Sequence, residues 1–233
     1  MKADDRAADQ HLARLTGVLF LATFATSIPA VAIFYAPVLS DPAHVLVTDP
    51  DRRIAWGAWL EMALILANVG TALTLWPVLR RDSPVLSLGY VAARLTECGF
   101  IALGLVALLA VDALRVQPGP DAARVVTAQA LVAIHDWTFR LGPGLVVGVG
   151  NGLILGTLMW RTRLVPRALS ALALVGGPGI VLSGSAVLLG YAQPVGAFQV
   201  AATIPEFCWE LGLGLWLTIR GFDRQALAAL PAS

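Results

Sequence analysis

His135-Asp136-Trp137-Thr138-Phe139-Arg140-Leu141-Gly142-Pro143-Gly144 stands in the middle of a long apolar stretch, Ala122 to Trp160. Three ionisable side chains fall within six residues. A helix-breaking Gly-Pro-Gly follows at once, and then an apolar run carrying Gly148, Gly152 and Gly156. How this stretch meets a bilayer decides the fold. At about 1.5 Å per residue it makes about 58 Å of helix, too long for one straight span.

The rest of the chain makes a bilayer the right reference. Of 233 residues, 58% are hydrophobic and 13% charged, against about 25% charged in a soluble domain. A mean hydropathy of +0.76 belongs to multi-pass membrane proteins. A hydrocarbon core about 30 Å thick takes about 20 apolar residues per helix. Residues 1–233 therefore have room for one all-α bundle of six transmembrane helices, or seven, and little else. A net charge of +1 and the absence of a nucleic-acid motif argue against nucleic acid as a partner. Cys98 and Cys208 lie in apolar segments without a CxxC pattern and read as small hydrophobes. The run from Leu15 to Tyr35 is longer than the h-region of a secretory signal, about 7 to 15 residues, so it reads as an uncleaved first helix.

The spans fall at about 15–36, 54–79, 88–111, 122–160, 168–189 and 196–219. Pro29 is expected to kink the first. Trp56 and Trp76 read as interfacial anchors of the second. A polar loop with Asp41, His44, Asp49 and Asp51 follows the first span, and Gln117-Pro118-Gly119-Pro120 is a turn. Gly176-Gly177-Pro178-Gly179 softens the fifth span, and a short polar tail follows the sixth.

The positive-inside rule favours one crossing by 122–160. With six spans and both termini cytoplasmic, ten Lys and Arg lie inside (Lys2, Arg6, Arg14, Arg80, Arg81, Arg161, Arg163, Arg167, Arg220, Arg224) and four outside (Arg52, Arg53, Arg115, Arg124). Two crossings would give five inside and nine outside. In the favoured topology residues 122–140 form an outer-leaflet or re-entrant helix, Gly-Pro-Gly is its elbow, and 145–160 complete the span of the cell membrane. Non-helical backbone at that depth needs protein or a wet cavity beside it.

Eight ionisable residues fall in the apolar segments: Glu61, Arg94, Glu97, His135, Asp136, Arg140, Glu206 and Glu210. Each costs about 2.5 to 3.5 kcal/mol at a helix centre, so they are expected to face the bundle interior. Tyr90, Arg94 and Glu97 share one helix face, as do Glu61 with Asn68, and Glu206 with Glu210. Asn151 sits beside the glycine row, which reads as a close helix contact. Entering from outside, Glu61 lies about 10 Å deep and Glu206 about 15 Å. Arg94 with Glu97, and Arg140 with Asp136, read as local ion pairs. That leaves Glu61, Glu206 and Glu210 with at most His135 among them. Burying a bare carboxylate is costly enough that at least one of these acids is expected to keep its proton.

Several of these residues carry a resemblance. His135-Asp136-Trp137 with Leu141-Gly142-Pro143-Gly144-Leu145 resembles the domain-of-unknown-function 4386 family of bacterial multi-pass membrane proteins. So do Leu88-Gly89-Tyr90-Val91-Ala92-Ala93-Arg94 with Glu97, Leu164-Val165-Pro166-Arg167, and Trp209-Glu210-Leu211 ending in Arg220-Gly221-Phe222. The resemblance runs from about Arg14 to Phe222. It implies a small helical membrane protein and no particular activity, and Glu210 matches its pattern more clearly than Glu206. In architecture alone, Glu61 and Glu206 are placed similarly to acids of small fungal membrane-bound terpene cyclases, which protonate an isoprenoid inside the bundle.

The leading functional reading is a membrane-embedded enzyme acting on a lipophilic substrate, with no cofactor and no metal. Glu61, Glu206 or Glu210 would be the general acid, and His135 a base oriented by Asp136. Trp59, Trp137 and Trp209 would line an apolar pocket, with Arg94, Glu97, Arg140 and Asn151 as further binding groups. A small proton-coupled carrier built on the broken helix is the alternative. A structural or partner-binding protein is the third reading.

Overall fold

The computed structural model describes residues 3–46 and 52–231. Lys2, and Asp49 and Asp51 of the first loop, lie outside the described residues. The fold is helical throughout, with no strand among the described residues.

Six long rods make the bundle: α1 (Arg6–Ser40), α2 (Arg53–Leu79), α3 (Pro84–Leu114), α4 (Asp121–Thr162), α5 (Arg167–Leu188) and α6 (Ala197–Ile219). Five of them, α1 to α5, are long and apolar enough to cross a membrane. The sixth, at 23 residues, matches them in length but carries Gln199, Glu206 and Glu210. A short α7 (Arg224–Ala229) follows, its N-terminus capped by the Asp223 carboxylate.

Sequential rods pack against one another around a ring, and α6 closes it against α1. This arrangement gives the ionisable residues an interior to face. Two apolar clusters fill the ring, one around Leu75, Leu158 and Leu213 and the other around Tyr35, Leu108 and Ala128. Along α2, α3 and α4 the buried ionisable residues Glu61, Arg94, Glu97 and His135 fall between the two clusters.

Three expectations need correction. First, α1 is longer than 15–36 at both ends. Its first turns are not a polar tail, because Asp9 makes a two-pronged ion pair with Arg81 at 2.8 Å on each arm. The Gln10 amide also donates to Phe222 O and accepts from Phe222 N. At its other end a π-helical segment, Ala30–Tyr35, takes up Pro29, and helix continues to Ser40. Much of the expected loop is therefore helical, ending in the 3-10 turn Pro42–Leu46.

Second, Gly-Pro-Gly is not an elbow, and 122–140 is not re-entrant. Residues 121–162 form one continuous rod, widened into π-helical segments at Gly142–Val146 and Gly148–Leu155. The rod keeps its direction along α3. Gly104 lies against Thr138, Gly142 against Phe100, Gly150 against Ala93 and Gly89 against Ile154. Pro143 removes one helical donor. A π-turn absorbs that loss by widening, without reversing the chain.

Third, the polar tail is partly folded. Phe222 and Leu227 are buried in the core cluster that holds Leu164 and Val165, and Asp223 N donates to Leu164 O at 2.8 Å. Together with Arg161–Asp82 at 3.4 Å and Asp9–Arg81, these contacts gather the start of α1, the α2–α3 turn, the α4–α5 turn and the C-terminal segment at one end of the bundle.

Candidate functional site

An interior chamber of about 390 Å³ is walled by residues from all six rods. Its ionisable and amide groups are Glu61 and Asn68 from α2, Arg94 and Glu97 from α3, and Glu206 and Glu210 from α6, with the hydroxyls of Thr23, Ser27 and Thr203 beside them. A second cavity of about 660 Å³ adjoins it toward the end where α5 turns into α6. That cavity is lined by Val31 and Leu39 of α1, by His135, Asp136 and Arg140 of α4, and by Gln199 to Phe207 of α6. Val31, Phe139, Pro143, Ile180, Thr203 and Phe207 line both cavities and form an apolar throat between them. The outer cavity is a cleft with α1 and α6 on its walls and α4 and α5 beside them. Below it α1 and α6 meet edge to face at Phe24 and Phe207, with ring centroids 5.2 Å apart. Ile204 lines the cleft and Ile28 the chamber, and both are exposed where lipid would lie.

In the chamber, Arg94 donates to Glu97 at 2.8 Å and to Asn68 at 2.6 Å. The Asn68 amide reaches back to Glu97 at 3.5 Å. This closed triangle bears out the reading of Arg94 and Glu97 as an ion pair. Glu61 accepts from Tyr35 OH at 3.0 Å. The Asn151 side-chain amide donates to Glu210, and the Asn151 backbone carbonyl accepts from Trp209 Nε1 at 3.1 Å.

Glu206 differs from all of these. It is 2% exposed, and neither carboxylate oxygen has a hydrogen-bond partner. Its carboxyl lies where glycines leave room. A Cβ at Gly176 would come within 2.8 Å of Glu206 Oε2, and one at Gly152 within 2.9 Å. The glycine row of α4 and the Gly176-Gly177-Pro178-Gly179 run of α5 thus meet as a close contact, and the contact forms a cradle for Glu206.

The other expected site residues divide. His135 is buried, and its Nδ1 has no hydrogen-bond partner. Asp136 is 3.9 Å from that nitrogen, within ion-pair range and beyond hydrogen-bond length, and its side chain is 44% exposed. Both residues line the outer cavity rather than the chamber. His135 meets the Tyr35 ring edge to face at 5.7 Å. Arg140 lies 3.7 Å from Asp136 and stacks over Trp137 at 5.1 Å.

Neither cavity is lined by Trp59, Trp137 or Trp209. Trp59 is 62% exposed, two residues from Glu61 and so on another face of α2. Trp209 is fully buried in helix packing. The aromatic walls of the chamber are Phe24, Phe139 and Phe207. Tyr35 was missed as a site residue because it lies near the expected end of the first span. The π-turn after Pro29 carries it inward, and Pro29 was the available signal.

Fold and site together define a polytopic membrane protein, a ring of helices around a chamber lined with ionisable groups and a second cavity to one side. The chain belongs to the family described as Domain of unknown function (DUF4386), whose model matches residues 15–221. No curated protein and no solved structure matches it.

Proposed function

We propose that the chain is a membrane-embedded enzyme that draws a lipophilic substrate from the bilayer through the α1–α6 cleft, with Glu206 as the general acid. One observation carries this reading: Glu206 is the chamber carboxyl without a partner. Arg94 with Glu97 and Asn68, Glu61 with Tyr35, and Glu210 with Asn151 have the look of structural pairs. A structural role explains those pairs and leaves Glu206 unexplained. A bare buried carboxylate costs several kcal/mol, about the price of its lost hydration. Glu206 therefore holds a proton at rest and can give it to a substrate in the chamber. The test is lipid extract incubated with membranes carrying the protein. Wild type is expected to convert a component that Glu206→Gln leaves untouched, with unchanged melting temperature. Conversion by Glu206→Gln at the wild-type rate rejects Glu206 as the acid.

A proton-coupled carrier is the second reading. Pro143, Pro178 and Pro205 interrupt the helical hydrogen bonding of α4, α5 and α6 near Glu206, as breaks near a carrier's binding site do. This reading requires release at both ends of the bundle, so Glu206→Gln would block flux across a sealed vesicle and leave the lipid chemically unchanged.

In either reading we place both termini in the cytoplasm with six spans. The contacts that gather the α2–α3 turn and the α4–α5 turn at one end support their sharing one side, and the Lys and Arg bias favours the cytoplasm for that side. Reporter fusions after Arg81 and Arg167 are both expected to read cytoplasmic. An external Arg167 fusion beside a cytoplasmic Arg81 fusion would mean that α4 crosses twice.

A further inference from the structure

We propose that the ligand of the chamber is a lipophilic amine, taken up neutral from the bilayer and held as its ammonium against Glu206. This rests on Glu206 being the proton donor and adds the class of substrate. The step is a single proton transfer. The Glu206 O–H bond breaks, an N–H bond forms on the amine nitrogen, and a carboxylate–ammonium pair results. Release reverses it.

Charge is the first argument. Four carboxyls line the chamber (Glu61, Glu97, Glu206 and Glu210) against one guanidinium, Arg94. An anionic ligand would meet repulsion there. An ammonium formed there meets carboxyl oxygens instead, and a charge-assisted hydrogen bond to a carboxylate is about twice as strong as a neutral one.

The unpartnered carboxyl is the second, independent argument. Both Glu206 oxygens are buried and free of hydrogen bonds. The glycines beside them, Gly152 and Gly176, place no side chain of this protein in reach. An ammonium supplies three donors to such an acceptor.

The walls select the kind of cation. Among the described residues no three His, Cys, Asp or Glu side chains stand together as a metal site, and a hard cation such as calcium takes about six to eight oxygens. The approach through the throat passes Val31, Phe139, Pro143, Ile180 and Phe207, with Thr203 as its one polar residue, so a hydrated ion would lose most of its water without replacement. A neutral amine on an alkyl chain crosses that throat without cost to its charge. Inside, the aromatic walls Phe24, Phe139 and Phe207 surround the alkyl chain with apolar surface.

The experiment uses the full chain in phosphatidylcholine nanodiscs, titrated with ligands of one chain length: dodecylamine, dodecanol, dodecanoic acid and dodecyltrimethylammonium. Empty nanodiscs supply the partition background. Dodecylamine is expected to bind at least about tenfold more tightly than each of the others, the scale of one charge-assisted bond, and Glu206→Gln to remove that advantage. Equal binding of amine and alcohol overturns the proposal. So does an advantage that survives Glu206→Gln, and equal binding of the quaternary ammonium removes the proton-transfer step. The two readings fail separately. If Glu206→Gln still blocks lipid conversion while the amine shows no preference, the acid stands and the substrate class is wrong. If Glu206→Gln converts lipid normally, the acid reading fails whatever the amine does.

Discussion

Arg94→Leu is expected to cost about 3 to 5 kcal/mol of stability, the range for breaking one side of a buried ion pair. The leucine leaves Glu97 with only the 3.5 Å contact from Asn68, and it strips Asn68 Oδ1 of its donor. Both groups are buried, so neither recovers water. Arg94→Leu with Glu97→Leu removes both charges together and is expected to regain about half of the loss or more. Recovery stays incomplete because Asn68 still lacks its partner, and Asn68→Leu added to the double variant should close part of the gap. The check is thermal melting of the purified variants in one detergent. Equal damage in the single and double variants would mean that the pair contributes nothing as a pair.

That pair was legible because it needs only one helix. Arg94 and Glu97 are three residues apart, and spacing alone puts them on one face. The same logic read Glu61 with Asn68 and Glu206 with Glu210 as inward-facing, and the ring of helices places them so. The apolar runs made the helices legible and left their ends in doubt. Hydropathy stops α1 near Leu15, because it cannot see that Asp9 and Gln10 spend their polarity on Arg81 and Phe222. Ser83 and Pro84 start α3 four residues earlier than the apolar run does. The serine side chain accepts from Leu86 N, and the proline occupies a first-turn position.

What could not be read were the contacts between helices. Gly-Pro-Gly looked like a turn because local chemistry says so. Packing along α3 on both sides of the break holds the rod straight instead. The surroundings of His135 were out of reach in the same way. Adjacency brings Asp136 to 3.9 Å, but the edge-to-face partner of the imidazole is Tyr35 from α1, a contact between helices. The status of Glu206 was hidden too. Its isolation depends on glycines from two other helices, 54 and 30 residues earlier in the chain at Gly152 and Gly176.

Those glycines make the last prediction. Gly177→Ala is expected to destabilise the protein by about 3 kcal/mol, the upper part of the range for overpacking. A Cβ at Gly177 would sit 2.7 Å from Gly148 O, 2.8 Å from Leu153 N and 2.9 Å from Gly152 C. All three are backbone atoms, so no side chain can rotate away, and α4 and α5 must part. The helix propensity of alanine, worth up to about 1 kcal/mol over glycine, offsets only a fraction. Gly99→Ala is the control. Nothing lies within 4 Å of its Cβ on the outer face of α3, so propensity acts alone and should leave stability equal or raised by about 0.5 to 1 kcal/mol. Melting temperatures of the two variants measure the difference. The same pair separates packing from chemistry at Glu206. Parting α4 from α5 opens the cradle, so Gly177→Ala should lose function and stability together, whereas Glu206→Gln loses function alone. Similar melting of Gly177→Ala and Gly99→Ala would show that the two helices do not approach closely enough to form the cradle at all.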